Sequence, residues 1–185
     1  SKTDFLKNII NNNKLNIMPC CYDALSAKMI EQAGFELSFM SGFATSATKL
    51  GLPDTGLISY GEIIEQGRNI CENVNIPIIG DGDTGYGNEL NVRRTVKGFC
   101  NAGFSAVMIE DQESPKQCGH TRGKKVISRQ DSISRIKAAI DERNSGSDVL
   151  IMARTDARFE LGITEAIDRA NIFRSLGADI IFIEG

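Results

Sequence analysis

One stretch of the sequence decides the fold, and it reads Ala106-Val107-Met108-Ile109-Glu110-Asp111-Gln112-Glu113-Ser114-Pro115-Lys116-Gln117-Cys118-Gly119-His120. Its first four residues are apolar without interruption, which predicts a buried strand. An acidic pair follows at once, and the loop beyond it holds a lysine, a cysteine and the only histidine of the chain. Since α/β folds place their catalytic groups just past the carboxyl ends of strands, this stretch predicts an enzyme built on parallel strands.

Similar apolar runs recur along the whole chain and alternate with helical patterns. The six predicted strands cover residues 15–20, 37–40, 76–79, 106–109, 149–153 and 180–183. Apolar residues at helical spacing predict helices over residues 3–12, 60–73, 89–102, 131–143 and 164–176. Another helix is predicted between the N-cap Asp23 and Gly34, with Leu25, Met29 and Ile30 on one face. A long connection through residues 51–56 separates the second strand from the next helix.

The predicted strands are apolar continuously rather than in alternation. Both faces of each strand should therefore be buried, as in a parallel sheet that helices cover on the outside. Three helix-to-strand joints carry a glycine, at Gly34, Gly103 and Gly177. Glycine supplies the left-handed conformation that commonly ends a helix. The chain is thus predicted to repeat a βα unit, with six strands and five connecting helices.

Such units fit either an open doubly wound sheet or a barrel. The doubly wound fold usually has a GxGxxG turn after its first strand, and residues 20–23 offer nothing like it. Polar candidate residues instead follow strands two to six, which is typical of a (β/α)8 TIM barrel. That barrel needs about 250 residues, and this chain has 185. We therefore expect a single incomplete TIM-barrel domain over residues 1–185, truncated after the sixth strand and lacking the last two βα units.

Composition argues against several classes of function. The net charge is −3 with both signs spread along the chain, so a nucleic-acid partner is not expected. No apolar run approaches the roughly 20 residues of a membrane span, and no signal peptide is recognisable at the start. Five cysteines at irregular positions, without CxxC spacing, favour reduced thiols. We expect a cytoplasmic protein with no membrane partner.

Carboxylates follow two neighbouring predicted strands. Asp81 and Asp83 come after the third strand, and Glu110 with Asp111 comes after the fourth. Because parallel strand ends lie roughly 5 Å apart, these groups should converge and need a cation to neutralise them. Mg²⁺, which takes few protein oxygens and keeps several waters, fits best. The alternative is that Asp-Gly-Asp-Thr-Gly is merely a turn, but Glu184 after the sixth strand adds weight to the metal site.

Cys118 differs from the other four cysteines in its polar surroundings. Cys20, Cys21, Cys71 and Cys100 are expected to be small buried apolar residues. Cations near Cys118 would lower its pKa, and both a nucleophile and a general acid or base remain open. A lone histidine in a loop is as consistent with a structural role as with catalysis, and this applies to His120.

Two further positions directly follow strands. Arg154, after the fifth strand, would direct its fork of donors at a substrate carboxylate. Ser41 and Gly42, after the second strand, offer a hydroxyl and backbone N–H groups to an anion. A surface arginine and an ordinary turn are the alternative interpretation.

These segments together resemble the isocitrate lyase and phosphoenolpyruvate mutase superfamily, in family order and over nearly the whole chain. The matching pieces are Phe39-Met40-Ser41-Gly42, Gly51-Leu52-Pro53-Asp54, Gly80-Asp81-Gly82-Asp83-Thr84-Gly85-Tyr86-Gly87, Ile109-Glu110-Asp111-Gln112, Lys116-Gln117-Cys118-Gly119-His120 and Ala153-Arg154-Thr155-Asp156-Ala157. The resemblance implies a Mg²⁺-dependent (β/α)8 barrel enzyme that acts on a small carboxylate substrate. It also implies a homotetramer when full length, with a swapped C-terminal helix beyond Gly185.

The resemblance also implies roles for individual positions. Asp81 and Asp83 would hold Mg²⁺ directly or through water, with Glu110 nearby. Asp54 corresponds to an active-site acid that matters most in the mutase branch. The implied substrate contacts are Ser41, Gly42, Phe43, Cys118, Gly119, Arg154 and Glu184.

The cysteine loop separates carbon–carbon lyases from the mutases, which generally lack that cysteine. A lyase cleaves a 2-hydroxy acid into an α-oxo acid and a carboxylate enolate, which Cys118 would protonate while Lys116 and His120 tune it. The base for the hydroxyl proton is not identifiable. Phe43 stands where methylisocitrate lyases usually have glycine, which favours the petal-death-protein group and its 2-alkylmalate substrates.

The leading interpretation is thus a 2-alkylmalate or 2-methylisocitrate-type lyase. The alternative is a phosphoenolpyruvate mutase-like enzyme, such as a carboxyphosphonoenolpyruvate phosphonomutase, a phosphonopyruvate hydrolase or an oxaloacetate decarboxylase. A third interpretation, different in class, is a non-catalytic product. The alkyl group of the substrate is not fixed by these residues.

Overall fold

The structure, a computed structural model, describes residues 1–12, 14–119 and 123–185. Over these ranges six strands form one sheet, and they are β1 (Cys20–Cys21), β2 (Ser38–Met40), β3 (Ile78–Asp81), β4 (Ala106–Glu110), β5 (Leu150–Thr155) and β6 (Ile180–Ile183). All neighbours are parallel, and the order across the sheet is the order along the chain. A doubly wound sheet reverses its order at one point. The sequential order is that of a barrel wall, as predicted.

Helices connect these strands on the outside of the sheet. In the described part of the chain they are α1 (Lys2–Asn11), α2 (Ala24–Gln32), α3 (Gly42–Leu50), α4 (Tyr60–Cys71), α5 (Glu89–Ala102), α6 (Arg129–Asn144), α7 (Ala157–Leu161) and α8 (Ile163–Leu176). Of these, α2, α4, α5, α6 and α8 are the five predicted connecting helices, and α1 is the predicted N-terminal helix.

The first predicted strand is wrong in position. The structure has a strand at β1, whereas the prediction placed one over residues 15–20. Leu15 is 94% exposed and Ile17 is 68% exposed, so these two side chains are not buried, whereas Met18 packs against the core. Pro19 also lacks the N–H that a ladder requires. The apolar face predicted for α2 is buried only in part, because Ile30 packs against the core while Leu25 and Met29 are largely exposed.

Two short helices, α3 and α7, were not predicted. Each begins directly after a strand, α3 after β2 and α7 after β5. The buried residues of α3 are Gly42, Thr45 and Ser46, so its sequence shows no apolar period. The helix is defined instead by its cap, since the Ser41 hydroxyl accepts a hydrogen bond from the Ala44 N–H.

The core lies between the middle strands and the helices that cover them. Every residue of β3, β4 and β5 is buried, whereas β6 at the edge of the sheet is only partly buried. Phe99 of α5 packs on Phe104 with ring centroids 4.7 Å apart. A side chain at Gly80 would collide with both rings, so the small residue in β3 permits this packing. Burying each ring stabilises the fold by roughly 1.5–3 kcal/mol.

The three glycine joints have the predicted conformation, with positive φ of 89° at Gly34, 95° at Gly103 and 107° at Gly177. Each chain turn therefore ends a helix and aims the next residues at the sheet. Among the helices of the described residues, none combines the length and apolarity that crossing a membrane requires.

Candidate active site

The carboxyl ends of the strands open onto one cavity of about 420 Å³. Most of the residues that the sequence singled out line it, namely Ser41, Phe43, Asp54, Asp81, Glu110, Lys116, Cys118, Gly119, Arg154 and Glu184. Gly42 and Asp83 are not part of this lining, but Gly42 contacts Asp81 and Asp83 contacts both Asp81 and Lys116. His120, also predicted, lies outside the described residues.

Asp81 is held by the start of α3. The Gly42 N–H donates to Asp81 Oδ2 over 3.2 Å, and the Asp83 N–H donates to Asp81 Oδ1 over 3.1 Å. A Cβ at position 42 would lie 2.7 Å from Asp81 Oδ2, so only glycine allows this approach. The Gly42 N–H that we expected to face a substrate anion therefore donates to a carboxylate of the protein.

Lys116 lies between two buried acids. Its Nζ is 2.7 Å from Asp83 Oδ1 and 2.7 Å from Asp54 Oδ1. Burial lowers the pKa of Lys116, but the charges of Asp81, Asp83, Glu110 and Asp54 outweigh it and raise that pKa above its ordinary value. Lys116 is accordingly an ammonium here, a local counter-charge for the acids.

Asp83 has two unusual features, a strained backbone conformation and a raised pKa. Its φ is +48°, a conformation that side chains other than glycine rarely adopt. Burial, followed by the charge of Asp81, raises its pKa to about 7. Strained residues with perturbed pKa values cluster at functional sites.

Glu110 pairs with Arg154 across the sheet, as neighbours in the register of β4 and β5. Its Oε2 lies 3.4 Å from Arg154 Nε, while its buried Oε1 has no hydrogen-bond partner among the described residues. Burial and the charge of Asp81 raise the pKa of Glu110 well above its ordinary range. A buried carboxylate oxygen without a hydrogen-bond partner is unfavourable, and a cation or a water bound to that cation would stabilise it.

The donor set fits a hard divalent ion. Asp81, Asp83 and Glu110 supply carboxylate oxygens, the ligands that Mg²⁺ prefers. Among the described residues, no three His, Cys, Asp or Glu side chains are arranged to hold a metal by themselves. An ion here would therefore keep water in several coordination positions, as Mg²⁺ usually does.

Arg154 lines the cavity, and two carboxylates fix the orientation of its side chain. Its Nε and Nη2 donate to the two oxygens of Asp156, each over 2.9 Å, and its Nη2 lies 3.3 Å from Glu184 Oε2. Although burial lowers the pKa of Arg154, the charges of Glu110 and Asp156 raise it, so the guanidinium keeps its charge. The carboxylates fix its orientation at the cavity wall.

The loop after β4 brings Cys118 to the same cavity. The Gln112 side chain makes a reciprocal pair with the backbone of Gln117, donating to its carbonyl and accepting from its N–H, both over 3.0 Å. Cys118, next along the chain, is 8% exposed. The loop is therefore fixed at its base, close to the thiol.

The acidic pair after β4 does not act as one group. Asp111 is buried away from the cavity, where its carboxylate accepts from the Thr155 hydroxyl, the Asp156 N–H and Arg169 Nη1 over 2.6, 2.9 and 3.0 Å. Successive strand residues point to opposite faces. The prediction that Asp111 joins the metal acids is wrong, and its role is to tie β4 to β5 and α8.

The cysteine prediction holds in part. All five cysteines, each within the described residues, are thiols without a disulfide. Cys21 and Cys71 are buried, as expected, whereas Cys100 is only partly buried. Cys20 is exposed and lines the cavity, so its prediction as a buried residue is wrong.

Three residues near the site were missed, Gln112, Lys124 and Asp156. Asp156 stands two residues after Arg154, and that spacing on a strand end was a usable signal, since alternate residues share a face. Gln112 belongs to a motif that carried the family resemblance but was given no role of its own, and Lys124 carried no local signal. A lysine beside Lys125 in a polar loop cannot be told from a surface lysine without the tertiary structure.

Comparison with protein families gives a match over residues 6–185 to the family described as phosphoenolpyruvate phosphomutase. Among curated proteins, the 2,3-dimethylmalate lyase of Eubacterium barkeri is 42% identical over 179 residues, covering 97% of this chain and 62% of that protein. This chain thus spans less than two thirds of that relative.

Solved structures agree closely with this fold. Oxaloacetate acetylhydrolase in complex with the inhibitor 3,3-difluorooxalacetate superposes with a TM-score of 0.96 at 37% identity, covering 100% of this chain and 64% of that one. Phosphonopyruvate hydrolase in complex with oxalate and Mg²⁺ superposes with a TM-score of 0.89 at 33% identity, covering 99% of this chain and 62% of that one.

Proposed function

Because this chain belongs to the phosphoenolpyruvate phosphomutase family, we propose that its protein is a Mg²⁺-dependent carbon–carbon lyase for a small 2-hydroxy di- or tricarboxylate. The superfamily resemblance inferred from the sequence motifs is confirmed by that membership. The proposed substrate is of the 2-alkylmalate or 2-methylisocitrate type, which yields an α-oxo acid and a carboxylate.

The observation that carries the proposal is the convergence of a thiol, a guanidinium and carboxylates on one cavity. Arg154 offers a fixed positive charge to a substrate carboxylate, and Glu184 limits where that carboxylate can lie. Phe43, at the cavity wall and 53% exposed, offers an apolar surface to an alkyl group. The site thus combines charge recognition with an apolar wall.

The proposed metal would be held by Asp81, Asp83 and Glu110. When bound, Mg²⁺ would supply Lewis acidity for the oxygens of the substrate. Lys116 neutralises the remaining acidic charge through Asp54 and Asp83.

In the proposed reaction a base removes the hydroxyl proton, and the hydroxyl oxygen becomes the oxo group as the neighbouring C–C bond breaks. The electron pair of that bond passes to the departing fragment as a carboxylate enolate. Arg154 stabilises the charge that develops on this fragment. The Cys118 thiol then donates its proton to the enolate carbon, and the resulting thiolate regains a proton to complete the cycle.

The test uses the full-length protein and a panel of 2-hydroxy diacids with Mg²⁺, with release of pyruvate or glyoxylate as the readout. We expect Cys118→Ser to lower turnover by about 10²–10⁴-fold, the usual range for a lost proton-transfer group. Mg²⁺ binding should persist, because the thiol is not among the proposed ligands. Cys100→Ser, a partly buried thiol outside the cavity lining, is the matched control. Unchanged turnover in Cys118→Ser would remove the thiol from catalysis.

One observation favours a second candidate, a phosphoenolpyruvate mutase-like enzyme. Asp54, which the mutase branch uses, lines the cavity and pairs with Lys116. Incubation of the full-length protein with phosphonopyruvate, followed by phosphorus NMR, separates the two candidates. Conversion of that compound without cleavage of any 2-hydroxy diacid would favour the second.

A further inference from the structure

Lys124 is a buried cation that the proposed reaction does not use. Its side chain is 1% exposed, and its Nζ lies 3.2 Å from Asp156 Oδ1. The same Nζ donates to the Gly119 carbonyl over 2.7 Å and lies 5.7 Å from the centre of the Phe159 ring. Its partners belong to two separate parts of the site, the loop after β4 and the end of β5.

The link continues through Asp156 to the cavity. That carboxylate is fully buried and holds Arg154 by two hydrogen bonds. Asp156 therefore orients two cations at once, one on the cavity wall and one on the loop. The Gly119 carbonyl, the other partner of Lys124, belongs to the residue directly after Cys118.

The loop backbone also lies against Arg154 itself. A Cβ at Gly119 would meet Arg154 Nη2 at 2.4 Å and Glu184 Oε2 at 3.1 Å. The Gly119 peptide, next to the thiol, thus lies directly against the Arg154 guanidinium. Lys124 binds the carbonyl of this peptide, and Asp156 binds the guanidinium. A small displacement of the Gly119 peptide or of the Arg154 guanidinium would change the distance between the thiol and the substrate carboxylate that Arg154 is proposed to bind.

A buried ammonium is a poor means of stabilising a fold as such. Its desolvation is costly, and apolar residues of similar size often replace buried ion pairs without loss of stability. Buried ionic groups instead can specify one geometry. The position of Lys124, between the thiol-bearing loop and the arginine clamp, gives that geometry a use.

We infer that Lys124 is a positioning residue, which fixes the Cys118–Gly119 segment relative to Arg154 through Asp156. This inference deepens the proposed function, since it assumes that the thiol and the guanidinium act on one substrate. Lys124 itself is not among the residues that line the cavity.

The first test measures thiol access without any substrate. In the full-length protein, Lys124→Met keeps the length of the side chain and removes its charge and donors. We expect iodoacetamide to alkylate Cys118 severalfold faster in this variant, because Lys124 no longer holds the loop. Mass spectrometry of the digested peptides measures the alkylation rate at Cys118. An unchanged alkylation rate at Cys118 would overturn the inference.

The second test separates kcat from KM on the cleaved substrate. A misplaced reacting group can cost about 100-fold in rate, so kcat should fall by up to that factor. KM should change less, since Asp156 still holds Arg154. A loss confined to KM would contradict the positioning of the thiol.

Lys2→Met is the matched control. Lys2 also joins distant segments through carbonyls, donating to Cys71 and Val74 over 2.8 and 2.5 Å, and neither of these lines the cavity. This variant should lower Tm and leave both Cys118 alkylation and kcat unchanged. If the two variants behave alike in both readouts, Lys124 is merely structural and the inference fails.

A further variant keeps the inference testable if Lys124→Met does not fold. Lys124→Gln retains a donor for the Gly119 carbonyl and should give alkylation and kcat between those of wild type and a released loop. A Lys124→Gln protein that folds and matches wild type in both readouts would also overturn the inference. Because alkylation needs no turnover, an inactive wild-type protein would refute the proposed lyase but leave this result readable.

Discussion

At the scale of single residues, the site depends on a glycine, which has no Cβ. Gly42 allows its N–H to approach Asp81, and no Cβ fits in that space. The amide belongs to the first turn of α3, whose unpaired N–H groups carry partial positive charge. The helix terminus therefore orients the carboxylate that we propose as a metal ligand.

We predict that Gly42→Ala weakens Mg²⁺ binding and destabilises the fold by about 1–3 kcal/mol, the usual cost of overpacking. The physical reason is the 2.7 Å approach of a new Cβ to Asp81 Oδ2. Isothermal titration with Mg²⁺ and denaturant unfolding measure the two effects.

Gly61→Ala in α4 is the control, since its Cβ would meet its nearest atom at 3.9 Å. It should be neutral or stabilise by about 0.5–1 kcal/mol. Equal behaviour of the two variants would show that the contact at position 42 does not matter.

At the scale of elements, alternation of side chains at the end of β4 separates Glu110, its last residue, from Asp111, which follows it. Glu110 faces the cavity, while Asp111 binds Thr155 at the end of β5 and Arg169 in α8. One acid thus serves the site and the next one serves the packing that supports it. In the sequence alone, Glu110 and Asp111 are two adjacent carboxylates that cannot be told apart by role.

We predict that Asp111→Ala destabilises the protein by about 3–5 kcal/mol. The change removes one of the two acids that pair with the buried Arg169 and leaves the Thr155 hydroxyl and the Asp156 N–H without their acceptor. Urea unfolding gives the difference. Asp168→Ala, which removes a half-exposed partner of Arg129, should change stability by less than about 0.5 kcal/mol. A small effect of Asp111→Ala would mean that Glu165 alone is a sufficient partner for Arg169.

A second link joins α6 to α8 and gives a pH dependence. Glu165 accepts from Arg129 and from Arg169, and the Arg129 bond contributes most to lowering its pKa from 4.5 to about 2. A carboxyl whose pKa is depressed on folding adds stability above its ordinary pKa and loses it as pH falls. This contribution should therefore fade between pH 4.5 and 2.

We predict that Glu165→Gln lowers Tm at neutral pH and that its difference from wild type shrinks as pH falls from 4.5 towards 2. Thermal melts across this range measure it. Glu36→Gln, at an exposed loop position, should follow wild type throughout. A constant difference between Glu165→Gln and wild type would exclude the ion pair as its cause.

At the scale of the whole molecule, the sequential strand order gathers groups that lie far apart in the chain. Carboxyl ends of parallel strands share one edge, so residues from β3, β4 and β5 meet at the cavity. Among the described residues that line the cavity, the carboxylates outnumber the cations, with Asp54, Asp81, Glu110 and Glu184 against Lys116 and Arg154. That excess is the physical basis for proposing a bound cation.

We predict that Mg²⁺ raises the Tm of the EDTA-treated full-length protein. The stabilisation should approach about 2.7 kcal/mol when free Mg²⁺ is a hundred times its Kd. Glu110→Gln should reduce this shift, because it removes a proposed ligand. Glu113→Gln, three residues on and exposed, should keep it. Equal melts of the wild-type protein with and without Mg²⁺ would count against the metal site.

The sequence by itself determined the repeat of strands and helices, their parallel direction and the glycine joints. These features depend on local patterns, since apolar runs and left-handed turns are properties of a few adjacent residues. The same locality explains the failures. Leu15 and Ile17 belong to an apolar pattern without a surface that buries them, and α3 had a buried face without apolar side chains.

Only the tertiary structure decided which polar groups meet. Gly42 and Asp81 are 39 residues apart, and Arg169 and Asp111 are 58 apart. The pairing of such residues depends on how whole elements pack, and no pattern within one segment encodes it. For that reason the sequence could name the acids, the thiol and the arginine, while the folded chain alone revealed the Lys124–Asp156 link between them.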